Sequence, residues 1–426
     1  MIETLQKYNP FWQNTPLSTV YKRTAYLDSF NKYINNPLIK VILGQRRVGK
    51  SYLLRSLINH LIKEYNIPAK NILYINKDIQ DFDFIKDSEN LFEVINEYKN
   101  KLKPKGTIFI FLDEIQEIKN WEKAVNSLSQ DYTNKYEVFI TGSNAKLLSK
   151  ELSTYISGRY VSFEVFPFSY SEFLGIKSLE KNKESFLEYL KIGGLPEIYN
   201  LDDEELKKNY ISSLKDSVVL RDIITRHNLR DSHLLEKIID FIIDSIGSMT
   251  STNSITKHLK TSGYKTNNET IGNYLQHLTD SYFIHAINRY DLKGKNILAG
   301  EKKYYLNDLS FKYYLSSSFD FAISRYLENI IYLHLRRQGY NVYVGKINNK
   351  EIDFIAEKDS RKKYIQVAYL LNSETIIDRE FNNLMLIKDN FEKVVVSLDD
   401  ICFGNKDGIE HINAWDFVLT PFSTLT

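Results

Sequence analysis

One cysteine, Cys402, is all that the chain holds. An internal disulfide framework is therefore excluded, and the count fits a reducing cytosol. No apolar run approaches the ~18 residues that a membrane span needs. The first residues, Met1 to Pro10, lack the apolar stretch of a secretory signal, so a cytoplasmic protein that does not enter a membrane is expected. There is no excess of charge either, with Lys+Arg 56 against Asp+Glu 54. Bulk charge argues neither for nor against nucleic acid, and any basic surface must be local. What the chain does have is length: 426 residues exceed one ordinary core and suggest roughly two to four domains.

The most informative stretch is Val41 to Leu54. Ile39, Val41, Ile42 and Leu43 read as a buried strand. It breaks into Gly44-Gln45-Arg46-Arg47-Val48-Gly49-Lys50-Ser51 and resumes as the helical pattern Tyr52 to Ile58. Strand, G-x-x-x-x-G-K-S, helix is the context in which that motif cradles phosphate. Gly44 and Gly49 permit backbone angles that other residues avoid, so successive N–H groups turn inward toward an anion. The helix N-terminus adds its dipole and free donors. Gly44 through Tyr52 are thus the candidate cradle for ATP, with Lys50 on the β- and γ-phosphates and the Ser51 hydroxyl on Mg2+.

Apolar strands alternating with helices follow: Asn71 to Asn76, a helix at Leu91 to Tyr98, then Thr107 to Leu112 ending in Asp113-Glu114. That alternation implies a parallel sheet with helices on both faces. Ligands in such sheets sit beyond the carboxyl ends of the strands, where the glycine loop and both acids fall. Asp113 is expected in the Mg2+ shell and Glu114 as the base that deprotonates the attacking water. An earlier helix, Arg23 to Phe30, either packs beside the base of a nucleotide or merely caps the sheet.

Tyr136 to Thr141 is another strand, ending in Gly142-Ser143-Asn144. If it neighbours the strand of Asp113, Ser143 or Asn144 lies beside the γ-phosphate; otherwise the three residues are a plain turn. Leu152 to Tyr160 leads into a fifth strand, Val161 to Pro167. Its Gly158-Arg159 pair puts a guanidinium near the nucleotide edge of the sheet. Arg159 is either an arginine finger for a neighbouring copy in a homo-oligomer or a partner to a carboxylate of its own chain.

Taken together, Gly44 to Ser51, Leu112-Asp113-Glu114, Thr141 to Asn144, Ser157-Gly158-Arg159 and Phe166 to Phe173 occur in an order that resembles a known family. It is that of the prokaryotic AAA+-type ATPases near the origin-recognition and archaeal-ATPase groups. There an AAA domain precedes a conserved C-terminal region of unknown function. Gly193-Gly-Leu-Pro-Glu197 and Val218 to Asp222 resemble that family's lid, so the likeness spans nearly the whole chain. It implies ATP binding, Mg2+ and hydrolysis, with phosphate contacts at Gly49, Lys50 and Ser51. A second sensor arginine has no clear position; Arg221 and Arg226 are the candidates.

The fold expected is α/β: a P-loop NTPase parallel sheet (residues 1–175) with a helical lid (176–230), then a winged helix (231–309) and a small α/β nuclease-like domain (310–426). The lid would turn γ-phosphate occupancy into a rotation. In the third segment, helices at Leu234 to Ile243, Thr252 to Leu259 and Thr270 to Asp280 precede strands Phe283 to Ile287 and Lys302 to Leu306. This pattern is similar to winged-helix domains. On duplex DNA, Lys265, Thr266, Asn267, Asn268, Thr270 and Asn273 would face a groove while Lys293 and Lys295 touch phosphates. Protein contact alone is the other reading, since Glu269 and Asp280 blunt the charge.

In the last segment a helix from Phe321 carries Glu328, and strands Glu351 to Ala356 and Tyr364 to Ala368 carry Asp353 and Gln366. The order looks like the PD-(D/E)xK nuclease core, whose active members need Asp and Glu for metal and Lys for the attacked phosphate. Here Gln366 stands for the Glu and Ala368 for the Lys, and Lys362 or Lys363 would substitute only if the strand turned sharply. A nuclease-like fold without cleavage is expected, with Glu328 a satisfied polar residue. Three functions stay open: an ATPase acting on DNA, an ATP-dependent switch acting on a protein partner, and an ATP-gated nuclease.

Overall fold

The computed structural model describes residues 1–19, 21–145, 156, 158–227, 229, 231–316 and 322–420. The expected turn from Leu152 to Ser157, apart from Ile156, lies outside the described residues, as do Phe321 and the side chain of Arg221. The chain forms two compact units, Met1–Val165 and Phe166–Thr426.

The first unit is built on five short strands: β1 (Ile39–Leu43), β2 (Ile72–Asn76), β3 (Ile108–Asp113), β4 (Tyr136–Gly142) and β5 (Tyr160–Glu164). All pair in parallel, in the order β2-β3-β4-β1-β5. The first four are buried along their whole length, which is why they read as unbroken apolar runs. Lys40 is the exception within β1, and its ammonium meets Glu137 of β4 at 2.9 Å, both groups buried. The outer edge of β2 is covered by the segment after α1 (Ile2–Tyr8). There the Asn9 side chain accepts from Tyr74 N–H at 2.8 Å and donates to Tyr74 C=O at 3.0 Å, as a neighbouring strand would.

This order positions the site. β4 lies between β3 and β1, so the segment after Gly142 emerges between the Gly44–Ser51 loop and Asp113. Helices α2 (Thr24–Asn31), α3 (Lys50–Glu64), α4 (Ser88–Leu102) and α5 (Trp121–Ser129) complete the described unit.

In the second unit the helices expected as a lid are α6 (Tyr170–Lys177), α7 (Lys183–Ile192) and α8 (Glu204–Ser217), which runs on as a π-helical stretch over Val218–Thr225. They are built into the C-terminal part. Buried Asp308 accepts from Gly194 N–H at 2.6 Å, and a Cβ on Gly193 would fall 2.1 Å from the same carboxylate. The Gly-Gly pair is thus a close backbone approach. Then come α9 (Ser232–Asp244), β6 (Met249–Thr250), α10 (Thr252–Thr261), α11 (Asn268–Asp280) and the hairpin β7 (Ile284–Asp291) with β8 (Asn296–Leu306). After α12 (Ser310–Leu315) follow α13 (Ile323–Arg337), β9 (Asn341–Ile347), β10 (Lys350–Lys358), β11 (Arg361–Val367), α14 (Glu374–Met385) and β12 (Glu392–Ser397). β13 (Gly404–Lys406), β14 (Ile409–Asn413) and α15 (Ala414–Phe417) end the described elements.

One sheet joins the last two expected segments. β7 pairs with β9 in parallel, Arg289 opposite Val344, giving the order β13-β14-β12-β11-β10-β9-β7-β8-β6. The boundary expected at 309/310 therefore falls inside a continuous hydrogen-bonded layer.

Candidate active site

The loop after β1 keeps the backbone its glycines allow. Gly44 has φ +151°, and a Cβ there would lie 2.3 Å from the Val165 carbonyl oxygen. Gly49, at φ +94°, is the N-cap of α3 and offers no side-chain cap. The first-turn amides of Lys50, Ser51 and Tyr52 have no acceptor within their helix, an arrangement suited to an anion. Val48 and Gln45 are buried, Arg47 is exposed at φ +69°, and Arg46 is half-buried. Tyr52 stands outward with the Arg55 guanidinium over its ring at 5.1 Å. Arg23, just ahead of α2, donates to Val48 C=O at 3.3 Å and so ties that helix to the loop.

Lys50 folds back over its own loop. Its ammonium donates to Gly44 C=O at 3.0 Å and Gln45 C=O at 3.1 Å, and stands 3.8 Å from Glu114. Asp113 is fully enclosed. Tyr74 Oη donates to it at 2.9 Å, Thr141 Oγ1 at 2.5 Å, and the Ser51 hydroxyl hydrogen-bonds it as well. Burial first, then the neighbouring Glu114, pushes the Asp113 carboxyl above the ordinary carboxylate range, against those three hydrogen bonds. Glu114 sits in the left-handed region at φ +54°, its N–H bound to Thr141 Oγ1 at 2.9 Å and its carboxylate held by Gln116.

Lys50, Ser51, Asp113 and Glu114 therefore meet at the carboxyl ends of β1 and β3. Ser143 and Asn144 leave β4 between them, both buried, and the Ser143 hydroxyl has no hydrogen-bond partner among the described residues. Three participants escaped the sequence reading: Thr141, Tyr74 and Gln116. Thr141 lay inside the Thr-Gly-Ser-Asn stretch, but attention fell on the residues after it.

Arg159 requires a correction. It directly precedes β5, whose Tyr160 is in register with Ile39 and whose Glu164 is in register with Leu43. A residue that enters a parallel strand lies at its amino end, so Arg159 is at the edge of the sheet away from the loop after Leu43. There it donates to Asn126 Oδ1 at 3.0 Å. It is not near the nucleotide edge of its own chain.

The residues of this site fall inside a span that matches a known domain. The AAA domain matches residues 36–174, and a domain of unknown function matches residues 183–321. An uncharacterized protein of Haemophilus influenzae is 35% identical over 401 residues, covering 93% of this chain and 98% of its own. One from Methanocaldococcus jannaschii is 34% identical, covering 89% and 85%. The chain belongs to their family and carries an AAA domain at residues 36–174. A solved Walker-type ATPase of Pyrococcus abyssi is similar to it at 15% identity and a TM-score of 0.48, over 72% of this chain and 99% of that one.

In the second unit of this AAA-type protein, Lys265, Asn268, Asn273, Lys293 and Lys295 are exposed. Thr266 is half-buried, and Asn267 is spent as the N-cap of α11, accepting from Thr270 N–H at 2.8 Å. Lys362 pairs with Glu357 and Lys363 with Glu392 at 3.0 Å, so neither reaches Asp353 or Glu328. The cation that does reach them is one the sequence reading passed over, Lys303. No helix of the described residues is long and apolar enough to cross a membrane.

Proposed function

We propose that this AAA-type protein binds ATP on Gly44 to Ser51 and hydrolyses it to ADP and phosphate, with nucleotide state switching C-terminal modules that act on DNA. The observation that carries the reading is the convergence of one ammonium and two acids. Lys50 stands 3.8 Å from Glu114, with Asp113 enclosed behind it and bonded to Ser51.

The residues divide the chemistry. Main-chain amides of the loop and of the first turn of α3 receive the phosphates. Lys50 exchanges the carbonyls of Gly44 and Gln45 for phosphate oxygens, a trade its flexible stem permits. Glu114 takes the proton of the attacking water. Ser143 and Asn144 contact the terminal phosphate, the Ser143 hydroxyl being buried with an unmet hydrogen bond. Ser51 and Asp113 are the pair that would hold Mg2+. The fit is chemical: hard oxygen donors, one of them a carboxylate whose charged form burial and the neighbouring Glu114 disfavour. When bound, the ion neutralises charge developing on the phosphates.

For the C-terminal part, the order α9-β6-α10-α11-β7-β8 supports a winged helix. Its exposed Lys265, Lys293 and Lys295 suit DNA phosphates, and Asn268 and Asn273 are exposed on α11. The order α13-β9-β10-β11-α14-β12 supports a nuclease-like core. Ala368, and the engagement of Lys362 and Lys363 elsewhere, argue that it does not cut. A protein partner in place of DNA is favoured by one observation: Asn267 is consumed as a cap and exposed Glu269 follows at the head of α11.

The experiment is ATP turnover by the full chain with no DNA, duplex and single strands, across a salt series, with particle mass measured in each nucleotide state. Wild type is expected to turn over slowly and faster with DNA, an effect that fades steeply with salt. Lys50→Ala should lose binding or turnover, and Glu114→Gln should hold ATP without hydrolysing it. Normal turnover in both variants removes the catalytic assignment; turnover indifferent to DNA transfers the C-terminal role to a protein partner.

A further inference from the structure

Strands β8, β10 and β11 and helices α13 and α14 of the second unit bring polar groups to one place. A pocket of about 490 Å³ is lined by Glu328, Glu351, Asp353, Gln366, Arg379 and Asn383, among others. Glu380, which also lines the pocket, pairs with Arg379, and a single ammonium meets the other carboxylates. Lys303 Nζ lies 2.9 Å from Glu328 Oε2, 2.9 Å from Glu351 Oε1 and 3.7 Å from Asp353 Oδ1, with its side chain 4% exposed. Tyr305, two residues on and hence on the same face of β8, donates to the same Glu328 oxygen at 2.8 Å. Asp353 Oδ2 accepts from Val367 N–H at 2.8 Å. Gln366, also buried and lining the pocket, has an amide oxygen with no hydrogen-bond partner among the described residues.

Three carboxylates this close repel one another and demand a counter-charge. Burial works to neutralise Lys303, but Glu328, Asp353 and Glu351 outweigh it and keep the ammonium charged. Hard oxygen donors gathered in a pocket are what a divalent cation uses. Here the position facing all three is already taken, and the occupant arrives on a strand of the hairpin that precedes α13 in the chain.

We propose that Lys303 is the resident cation of this acid pocket: its ammonium takes the coordination that Glu328, Glu351 and Asp353 would offer a divalent ion, keeps such an ion out, and fastens the β7–β8 hairpin to α13 and β10. The hairpin and the nuclease-like core become one mechanical piece, joined by charge on this side and by the β7–β9 pairing on the sheet.

The test titrates Mn2+ into nucleotide-free full-length protein by calorimetry and follows thermal unfolding with and without the ion. Wild type and Asp353→Asn should behave alike toward Mn2+. Lys303→Met should gain one Mn2+ per chain, lose that gain when Asp353→Asn is added, melt roughly 5–10 °C lower without metal, and recover part of the drop with Mn2+. Lys303→Arg, which keeps the charge, should gain no site. If Lys303→Met does not fold, Lys303→Met with Glu328→Gln, which removes a negative charge along with the positive one, should restore a folded chain with a cooperative melt. Asp353-dependent Mn2+ binding by wild type, a folded Lys303→Met without a new site, or a Lys303→Met, Glu328→Gln double variant that stays unfolded would each overturn the proposal.

Discussion

Gln116 Nε2 donates to Glu114 Oε2 across 2.5 Å, from a side chain only two residues further along the chain. The other carboxylate oxygen faces Lys50 at 3.8 Å. In this state the candidate base is held at both oxygens, by an amide on the short turn Ile115–Glu117 and by the phosphate-loop lysine. On the proposed function, phosphate draws Lys50 away and leaves Gln116 as the remaining restraint on the carboxylate. Gln116→Ala should therefore leave ATP affinity unchanged and raise turnover by roughly two- to tenfold, the latter being about 1.4 kcal/mol of barrier. Steady-state kinetics beside a fluorescent-nucleotide titration separates the two quantities. A fall in turnover would make Gln116 a positioning residue for Glu114 instead of a latch.

Thr141 holds both acids with one hydroxyl, donating to Asp113 at 2.5 Å and accepting from Glu114 N–H at 2.9 Å. Valine has nearly the same shape but leaves a buried N–H and a buried carboxylate oxygen unmet. Thr141→Val should cost about 1–3 kcal/mol of stability, read by denaturant unfolding of the full chain, and should slow turnover. Thr141→Ser, which restores the hydroxyl, should recover most of both. Equal loss in the two variants would point to packing of the methyl group rather than to the hydrogen bonds.

What the sequence made legible was local. The loop, its glycines and the strand-end acids follow one another within short stretches whose periodicity and backbone demands are read residue by residue. Lys303 was illegible because its environment is created by pairing: β8 aligns on β7, β7 on β9, and only then does one lysine face acids from α13 and β10. Glu351 was missed for the same reason. Arg159 was a different failure. Chain direction alone puts a residue that precedes a parallel strand at the amino edge of the sheet, as Tyr160 opposite Ile39 shows.

His334 on α13 is buried, and Gln338 Nε2 lies 2.8 Å from its Nε2, a contact that suits a neutral imidazole. Burial first, then nearby Arg337 and Lys363, lowers its pKa from 6.5 to about 3. A base whose folded pKa is depressed binds its proton more readily when unfolded. Its contribution is therefore complete above the unfolded value near 6.5 and is lost as pH falls toward 3. The slope is about 1.4 kcal/mol per pH unit, so about 2 kcal/mol should go between pH 6.5 and pH 5. Chemical unfolding of wild type and His334→Gln across that window isolates the effect from the carboxylates common to both. The variant should show the flatter profile; parallel profiles would mean that His334 protonates in the folded state.

Arg159 lies across the sheet from its own loop, roughly 13 Å or more along β5 at the usual rise per residue, and its contact there is Asn126. That separation removes a role in its own active site and leaves two possibilities, each with a distinct outcome on mixing. In a ring of head-to-tail copies, one chain's amino-edge arginine faces the next chain's phosphate loop. Arg159→Ala then lacks only what it gives, and Lys50→Ala lacks only what it receives. Each should be inactive alone, while an equimolar mixture makes about one interface in four complete and should regain about a quarter of wild-type turnover. If Arg159 only braces α5 through Asn126, Arg159→Ala should stay active by itself, and adding Lys50→Ala protein should restore nothing beyond that level.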